Sequence, residues 1–575
     1  MKEGAMNLHD FIQTARGEKK ADLLLKNARM VNVFSGRIES ADIALSNGLI
    51  AGFGDQAARQ TVDLAGRYVA PGFIDGHVHI ESSMASVAEF ARAVLPCGTT
   101  TVAADPHEIA NVLGAEGIRY MLDSADGLPV NILFSLPSCV PATEMETAGA
   151  RLGAAELAPF MEESRIIALA EMMNYPGVLH GDPDVLAKIE LAHTYRKPVD
   201  GHAPGLTGPD LHAYLAAGIA SDHECTTAEE AREKLAAGMM IMVREGTCAQ
   251  NLETLFPAIT ERNYSRMMWC TDDRHPHDIL GEGHVDHIIR KAIGLGLDPI
   301  RAIQMATLHP ARYFGIRYAG AIAPGYRADL VVFSDLNEPR PEQVYCHGLL
   351  AAEAGVLSGS LRWPAPPPAP NSMNLRPADV DFSIPARGRR LRVIEAVPGQ
   401  VVTGRAVMEA KVSDEMAVAD IDRDLLKIVV VERYTGQANT GRGFVTGMGL
   451  KAGALAASVA HDSHNIIVVG TNDDDMKAAL TAVVDMGGGF AVARDGSVQD
   501  ELPLPIAGLM SELPMRMVRD QLDRLIQAAR NLGSPLSDPF MTLGFLALPV
   551  IPALKITDKG LVDVEKFEIV SLFEG

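Results

Sequence analysis

Four histidines and two carboxylates of this 575-residue chain have types and positions suited to binding metal ions. Each stands at or just after the end of a short apolar segment of β-strand character. They are His77, His79, Glu171, His202, His223 and Asp272. Imidazole and carboxylate together favour zinc, iron or manganese, and six ligands exceed what one catalytic ion needs. The set predicts two divalent ions, bridged by a carboxylate and a hydroxide, that activate water for hydrolysis.

Eight apolar segments between Val69 and Gly315 must position these side chains. They cover residues 69–80, 98–105, 130–138, 166–172, 198–203, 218–224, 238–247 and 267–273, with helical stretches between several of them. Eight β/α repeats in about 250 residues favour a closed (β/α)8 barrel, a TIM barrel, whose functional residues gather at the carboxyl ends of the strands. Alternation along a strand puts both imidazoles of the HxH pair on one side. For the same reason it should send only one of Asp272 and Asp273 inward.

The segments on both sides of the barrel also have strand character. Residues 20–70 contain an Asn47-Gly48 hairpin signal, and residues 325–336 return to a strand pattern that can pair with them. Residues 361–372 hold five prolines, which favour an extended linker. The predicted α/β organisation is residues 1–68 and 319–362 as a small β-sandwich domain, 69–318 as the barrel, 363–374 as a proline-rich linker and 375–575 as an additional α+β domain.

Composition excludes several classes of function. Lys plus Arg number 51 against 73 Asp plus Glu, and the net charge of −22 repels nucleic acid and anionic lipid. No apolar run approaches the roughly 18 residues of a membrane span, and the N-terminus lacks the pattern of a secretory signal. The six cysteines form no CxxC pair, so no cysteine zinc site is indicated. We therefore expect a soluble, cytoplasmic protein that acts on a small molecule.

The motifs resemble those of the amidohydrolase superfamily and, more narrowly, of the bacterial adenine deaminases. The stretches that carry the resemblance are DGHVHIESSM, VAADPHEIANVLG, FSLPSCVPAT, ALAEMMNYPGV, DGHAPGL, SDHECT, REGT and CTDDRHP, with RYTGQANTGRGFVTGMGLKAGALAASVAHDSHNIIVVG near the C-terminus. The resemblance implies hydrolytic deamination of adenine to hypoxanthine and ammonia by a binuclear manganese, iron or zinc centre held by the six candidate ligands. Many binuclear relatives bridge their metals with a carboxylated lysine on the fourth strand. This chain has Glu171 there.

Other polar residues at or just after the ends of the predicted strands are candidates for further roles at the barrel mouth. The expected reaction is attack of a metal-bound hydroxide on C6 of the purine, with Asp272 passing the proton to the departing amine. Glu245 is a candidate catalytic residue. Arg244, His275 and His107 are candidate contacts to the purine ring.

Two alternatives stay open on the sequence alone. One keeps two metals but acts on another cyclic amide, amidine or N-acyl substrate, and the other is a non-catalytic scaffold on the same fold. The C-terminal region is expected to cover the barrel mouth or to form a subunit interface in a homodimer or larger homo-oligomer. Residues 461–465 look like a ligand cluster, but contiguous residues of one turn seldom all face the same ion.

Overall fold

The computed structural model of the chain describes residues 7–574. The first six residues, which begin the stretch used to judge a secretory signal, lie outside this range. None of the helices between residues 7 and 574 has the length and apolar character needed to span a bilayer. The chain folds into a small β domain, a barrel and a C-terminal domain, preceded by the helix Leu8–Ala15.

The small β domain is built from the two segments that flank the barrel. Its nine strands form one continuous sheet around an apolar core. They are Ala21–Asn32, Arg37–Ser46, Leu49–Phe53, Ala58–Asp63, Tyr68–Pro71, Leu330–Phe333, Gln343–Cys346, Leu349–Glu353 and Val356–Leu357. The predicted hairpin is confirmed, since Asn47 and Gly48 have φ angles of 52° and 77° between two antiparallel strands. Pairing of the two flanking segments is also confirmed by the strands Tyr68–Pro71 and Leu330–Phe333.

The chain passes from the small domain into the barrel at Gly72. The sequence pattern joined residues 69–80 into one barrel strand, but Tyr68–Pro71 belongs to the small domain and only Phe73–Val78 to the barrel. Gly72 lies so close to Thr100 that any Cβ there would collide with the threonine side chain. The break between the two strands thus depends on a close backbone approach that only glycine permits.

Eight parallel strands close the barrel, as predicted. They are Phe73–Val78, Thr99–Ala104, Asn131–Leu136, Ile166–Met172, Val199–Gly201, Ser221–Asp222, Met240–Arg244 and Met267–Cys270. Arcs of five and three strands are joined at both ends by parallel bridges, Val78 to Asp272 and Val199 to Ile219. The helices of this segment are Val87–Val94, His107–Leu113, Ala115–Ser124, Ala154–Leu157, Tyr175–His180, Pro183–Thr194, Gly208–Ala216, Ala228–Ala236, Leu252–Leu255, Pro276–Gly281, Val285–Gly294, Pro299–Met305 and Leu308–Tyr313.

The interior of the barrel is packed with small and sulfur-containing side chains. Met240 and Met242 alternate inward from one strand, and Met268 and Cys270 do so from the next. Phe314 belongs to the same buried cluster. Because these side chains fill the interior, the barrel is a core rather than a pore, and chemistry is confined to its carboxyl-terminal mouth.

The C-terminal domain is organised around a second nine-stranded sheet. Its strands are Arg390–Ala396, Thr403–Glu409, Leu426–Val431, Thr440–Thr446, Ala454–Ala457, Ile466–Gly470, Gly489–Arg494, Ser497–Pro503 and Phe573–Glu574. Smaller sheets contain Lys411–Ser413, Met416–Val418, Leu554–Thr557, Gly560–Asp563 and Glu568–Val570, and the helices are Asp473–Asp485, Met515–Asn531 and Pro539–Phe545. The helix predicted from the stretch MRMVRDQLDRLIQAARN is confirmed at Met515–Asn531, with buried residues recurring every three or four positions.

The C-terminal domain packs directly on the barrel mouth. Leu509 and Met510 belong to the same apolar cluster as the barrel core, while Met84 of the barrel inserts into the core of the C-terminal domain. Backbone hydrogen bonds run from Ser511 N to the Met84 carbonyl (2.9 Å) and from Ser86 N to the Ser511 carbonyl (2.8 Å). This placement agrees with the expectation that the C-terminal region covers the mouth.

We expect a chain that ends after Met373 to unfold at a lower temperature than the full chain and to bind the hydrophobic dye ANS. The truncation uncovers the apolar surface around Met84 that the C-terminal domain buries. Thermal unfolding and dye fluorescence of the two chains, measured side by side, check this. A truncated chain with the melting temperature of the full chain and no dye binding would contradict the interdependence of the two domains.

Candidate active site

The first barrel strand delivers two imidazoles to one point. The Nε2 atoms of His77 and His79 lie 3.1 Å apart, which confirms the predicted alternation. His79 Nδ1 lies 3.0 Å from the backbone carbonyl of Asp105, to which it donates. Nδ1 therefore carries a proton, and Nε2 is the nitrogen left to bind a metal ion.

Glu171 lies at the centre of the cluster and separates the four imidazoles into two pairs. Its Oε1 faces Nε2 of His79 at 3.4 Å and Nε2 of His77 at 3.9 Å. Its Oε2 faces Nδ1 of His202 at 2.6 Å and Nε2 of His223 at 3.1 Å. One carboxylate with a different imidazole pair at each oxygen has the geometry needed to bridge two cations.

Asp272 completes the first pair. Its Oδ1 lies 3.0 Å from Nε2 of His79 and 3.6 Å from Nε2 of His77, and its Oδ2 accepts a 2.7 Å hydrogen bond from Arg244. The residue lies beyond the last strand residue, Cys270, and has a φ of 57°. The carboxylate therefore reaches the cluster from a turn rather than from the strand itself.

The expectation that only one of Asp272 and Asp273 points inward holds in part. Asp273 accepts a 2.5 Å hydrogen bond from Ser82. Its carboxylate nevertheless lies within 4.8 Å of ligand-type atoms of both His79 and Asp272. Strand alternation does not apply to the two aspartates, because the strand ends before Asp272 and the backbone at Asp272 is left-handed.

The charges of the cluster suit divalent cations. Burial lowers the pKa of His77 well below its ordinary value, aided by the neighbouring imidazole of His223. Burial acts in the same direction on His79, but Asp272 and Glu171 outweigh it and raise that pKa. Buried carboxylates need positive charge close by, and imidazole lone pairs can direct a metal ion to that place. The donor set therefore fits divalent cations, with the Glu171 carboxylate shared between the two imidazole pairs.

Comparison with known proteins supports a single family. The Amidohydrolase family pattern matches residues 68–351, and the pattern described as the adenine deaminase C-terminal domain matches residues 400–568. The adenine deaminase of Desulfatibacillum aliphaticivorans is 55% identical over 98% of this chain and 99% of its own length. Those of Kosmotoga olearia and Methanothrix thermoacetophila are 50% and 51% identical, each over 99% of this chain and 100% of its own length. The chain belongs to the adenine deaminase family.

In this member of the adenine deaminase family, two of the predicted ring contacts lie against the candidate ligands. Arg244 donates to Asp272, and its Nη2 also donates to Glu224 at 2.9 Å. His107 Nδ1 lies 3.2 Å from a carboxylate oxygen of Asp105 and 3.4 Å from Oε1 of Glu171. Both residues are thus placed to orient the ligand carboxylates.

The other two predicted residues lie outside the cluster. The carboxylate of Glu245 accepts from the backbone N–H of Leu252 and from Lys291, both at 2.8 Å. These contacts hold a loop in place and give no support to its predicted catalytic role. His275 precedes the helix Pro276–Gly281, and its Nδ1 lies 3.7 Å from the Asp538 carboxylate of the C-terminal domain.

Sequence reasoning missed Glu224. Its Oε1 lies 3.4 Å from Nε2 of His223 and 3.6 Å from Nδ1 of His202, and both of its oxygens accept from Arg244. Burial raises the pKa of this carboxyl, but Arg244 and His202 outweigh it and keep Glu224 charged. The available signal was an acidic residue directly after a ligand histidine, with an arginine at the end of the next strand.

Sequence reasoning also missed Glu108, which joins the barrel to the C-terminal domain. His461 Nδ1 lies 2.8 Å from Oε1 of Glu108, and His464 Nε2 contacts the other oxygen. The two histidines of the 461–465 segment thus converge on one carboxylate. The backbone N–H of Ala460 donates to His464 Nδ1, so His464 carries its proton on Nε2 and donates it to Glu108. The contact with His464 is therefore a hydrogen bond.

Proposed function

We propose that the chain catalyses the hydrolytic deamination of adenine to hypoxanthine and ammonia with two divalent metal ions. The observation that carries the proposal is the division of Glu171 between two imidazole pairs. That geometry supports a binuclear hydrolytic centre. The identity of about 50% with proteins named adenine deaminase, over nearly the whole chain, supports adenine as the substrate.

Each metal ion has its own set of side chains in this proposal. His77, His79 and Asp272 would hold one ion, His202 and His223 would hold the other, and Glu171 lies between the two sets. Manganese, iron and zinc all accept such ligands. When bound, the two ions lower the pKa of a water molecule and polarise the carbon that it attacks.

Asp272 is the proposed proton carrier. Its Oδ1 faces the first imidazole pair, where it can take a proton from the attacking water and return it to the departing amino group. Arg244 fixes the orientation of the carboxylate through Oδ2. Burial raises the pKa of Asp272, but Arg244 and His79 outweigh it and lower the pKa, so the carboxylate is ionised before the reaction.

The two alternatives have no support in the structure. An enzyme that bridges its metals with a carboxylated lysine would need lysine on the fourth strand, where this chain has Glu171. A scaffold that had lost its chemistry would be expected to lack ligands, whereas all six candidates converge. Assembly as a homo-oligomer and a cytoplasmic location stay predictions.

The test is ammonia release from adenine by protein loaded with Mn²⁺ or Fe²⁺, compared with metal-stripped protein. We expect equal amounts of hypoxanthine and ammonia, loss of turnover on chelation, and recovery with two equivalents of metal per chain. If the protein binds two ions but releases no ammonia from adenine, adenine is rejected as the substrate and the proposed metal centre stands. If the protein binds no metal, the proposed metal-dependent hydrolase function is rejected.

A further inference from the structure

A cavity beside the candidate metal ligands has one wall from the barrel and one from the C-terminal domain. Its polar lining includes Ser82, Asp273 and the predicted ring contact His275 from the barrel, and His461 from the C-terminal domain. Asp273 lies within 4.8 Å of ligand-type atoms of His79 and Asp272. The cavity therefore opens next to the first imidazole pair, where a substrate has to lie to be attacked.

Part of the cavity lining is apolar. Val459, Leu509 and Met541 line it, and all three belong to the C-terminal domain. The cavity has a volume of only about 20 Å³, room for about one water molecule, so it accepts the edge of a flat aromatic ring and not the whole ring.

His461 is held rigidly at the edge of this cavity. Its Nδ1 contacts Glu108 at 2.8 Å, and its ring stacks on Phe545 with centroids 4.6 Å apart and planes 11° from parallel. Its Nε2 makes no hydrogen bond or ion pair with any residue in the range 7–574. The side chain is 13% exposed, so the second ring nitrogen stays accessible while the rest of the ring is fixed.

Glu108 is itself held from two sides. His464 donates to its Oε2, and His107 Nε2 lies 3.6 Å from its Oε1. Burial lowers the pKa of His461, but the Glu108 carboxylate outweighs burial and raises it to about 9. Nδ1–H then donates to Glu108, and Nε2 carries a proton that it can donate into the cavity.

We propose that His461 binds the substrate, donating from Nε2 to a ring nitrogen of the purine, and that Glu108 is the positioning residue that holds its imidazole. This inference rests on the function proposed above. The ring gains electron density when C6 is attacked, so a donor at a ring nitrogen stabilises the transition state more than the ground state. The C-terminal domain thereby supplies part of the substrate site.

Two substitutions separate the two nitrogens of His461. Asparagine keeps an N–H near the position of Nδ1, and hence the contact with Glu108, but reaches no further. We expect His461→Asn to lower kcat/KM for adenine about 10- to 100-fold, the range for a hydrogen bond to a charged donor, with metal content and melting temperature unchanged. Glutamine can place an N–H near Nε2, so His461→Gln should recover part of the lost kcat/KM. His212→Asn, at an exposed histidine, is the matched control.

A double-mutant cycle tests the positioning role. Glu108→Gln should raise KM in the native background but change little when His461→Asn is already present, because Glu108 acts through His461. Additive losses would overturn that role. Three results would overturn substrate binding by His461. The first is a kcat/KM of His461→Asn within twofold of the native value, and the second is a kcat/KM of His461→Gln no higher than that of His461→Asn. The third is a fall in the metal content or melting temperature of His461→Asn. If the native protein itself does not deaminate adenine, the proposed function is rejected, and the role of His461 is not the cause.

Discussion

Replacing Glu171 with glutamine should lower kcat for adenine by about 10³-fold or more and reduce the bound metal to at most one ion per chain. Glutamine has the same shape but lacks the charge, and its amide nitrogen cannot act as a ligand. One of the two imidazole pairs would then face an N–H₂ group in place of a carboxylate oxygen. The fold should survive, because the substitution leaves the packing of the barrel unchanged.

The measurement combines turnover, metal analysis and thermal unfolding of the same preparation. Glu190→Gln is the matched control, since it makes the same change at an exposed glutamate of the helix Pro183–Thr194. Near-normal turnover, or two tightly bound ions in Glu171→Gln, would reject Glu171 as the bridging ligand.

Replacing Asp272 with asparagine should lower kcat by about 10²- to 10⁴-fold, the usual range for loss of a general acid–base group. The amide still accepts from Arg244 but cannot take a proton at the position of Oδ1. Because the Asp272 carboxylate lies nearest to the first imidazole pair and does not connect the two pairs as Glu171 does, this variant should lose less metal than Glu171→Gln. The two variants thus separate proton transfer from metal binding.

Steady-state kinetics at saturating metal check this expectation. Asp126→Asn serves as the control, because it makes the same atomic change at an exposed carboxylate that pairs with Arg165. If Asp272→Asn recovered full turnover when metal was added in excess, Asp272 would be a ligand only, and another group would have to carry the proton.

Much of the candidate metal centre was predictable, because its members depend on local rules. The HxH pair converges because strand side chains alternate with a period of two. Glu171, His202 and His223 meet because they stand at or just after the carboxyl ends of parallel strands, which share one edge of a barrel. The hairpin at Asn47-Gly48 and the helix Met515–Asn531 likewise follow from short-range preferences of the backbone and from helical periodicity.

The sequence by itself thus determined the barrel, the convergence of six candidate ligands and, through resemblance, the family. Only the tertiary structure decided which polar residues around the ligands face them. Glu245 stands directly after a barrel strand, where catalytic residues are expected. Its carboxylate nevertheless accepts hydrogen bonds from Leu252 N–H and from Lys291. Glu108 and His461 are 353 positions apart, and their contact exists only because the C-terminal domain packs on the barrel mouth. Contacts of that kind depend on how whole domains bury their apolar surfaces against one another, which no local periodicity records.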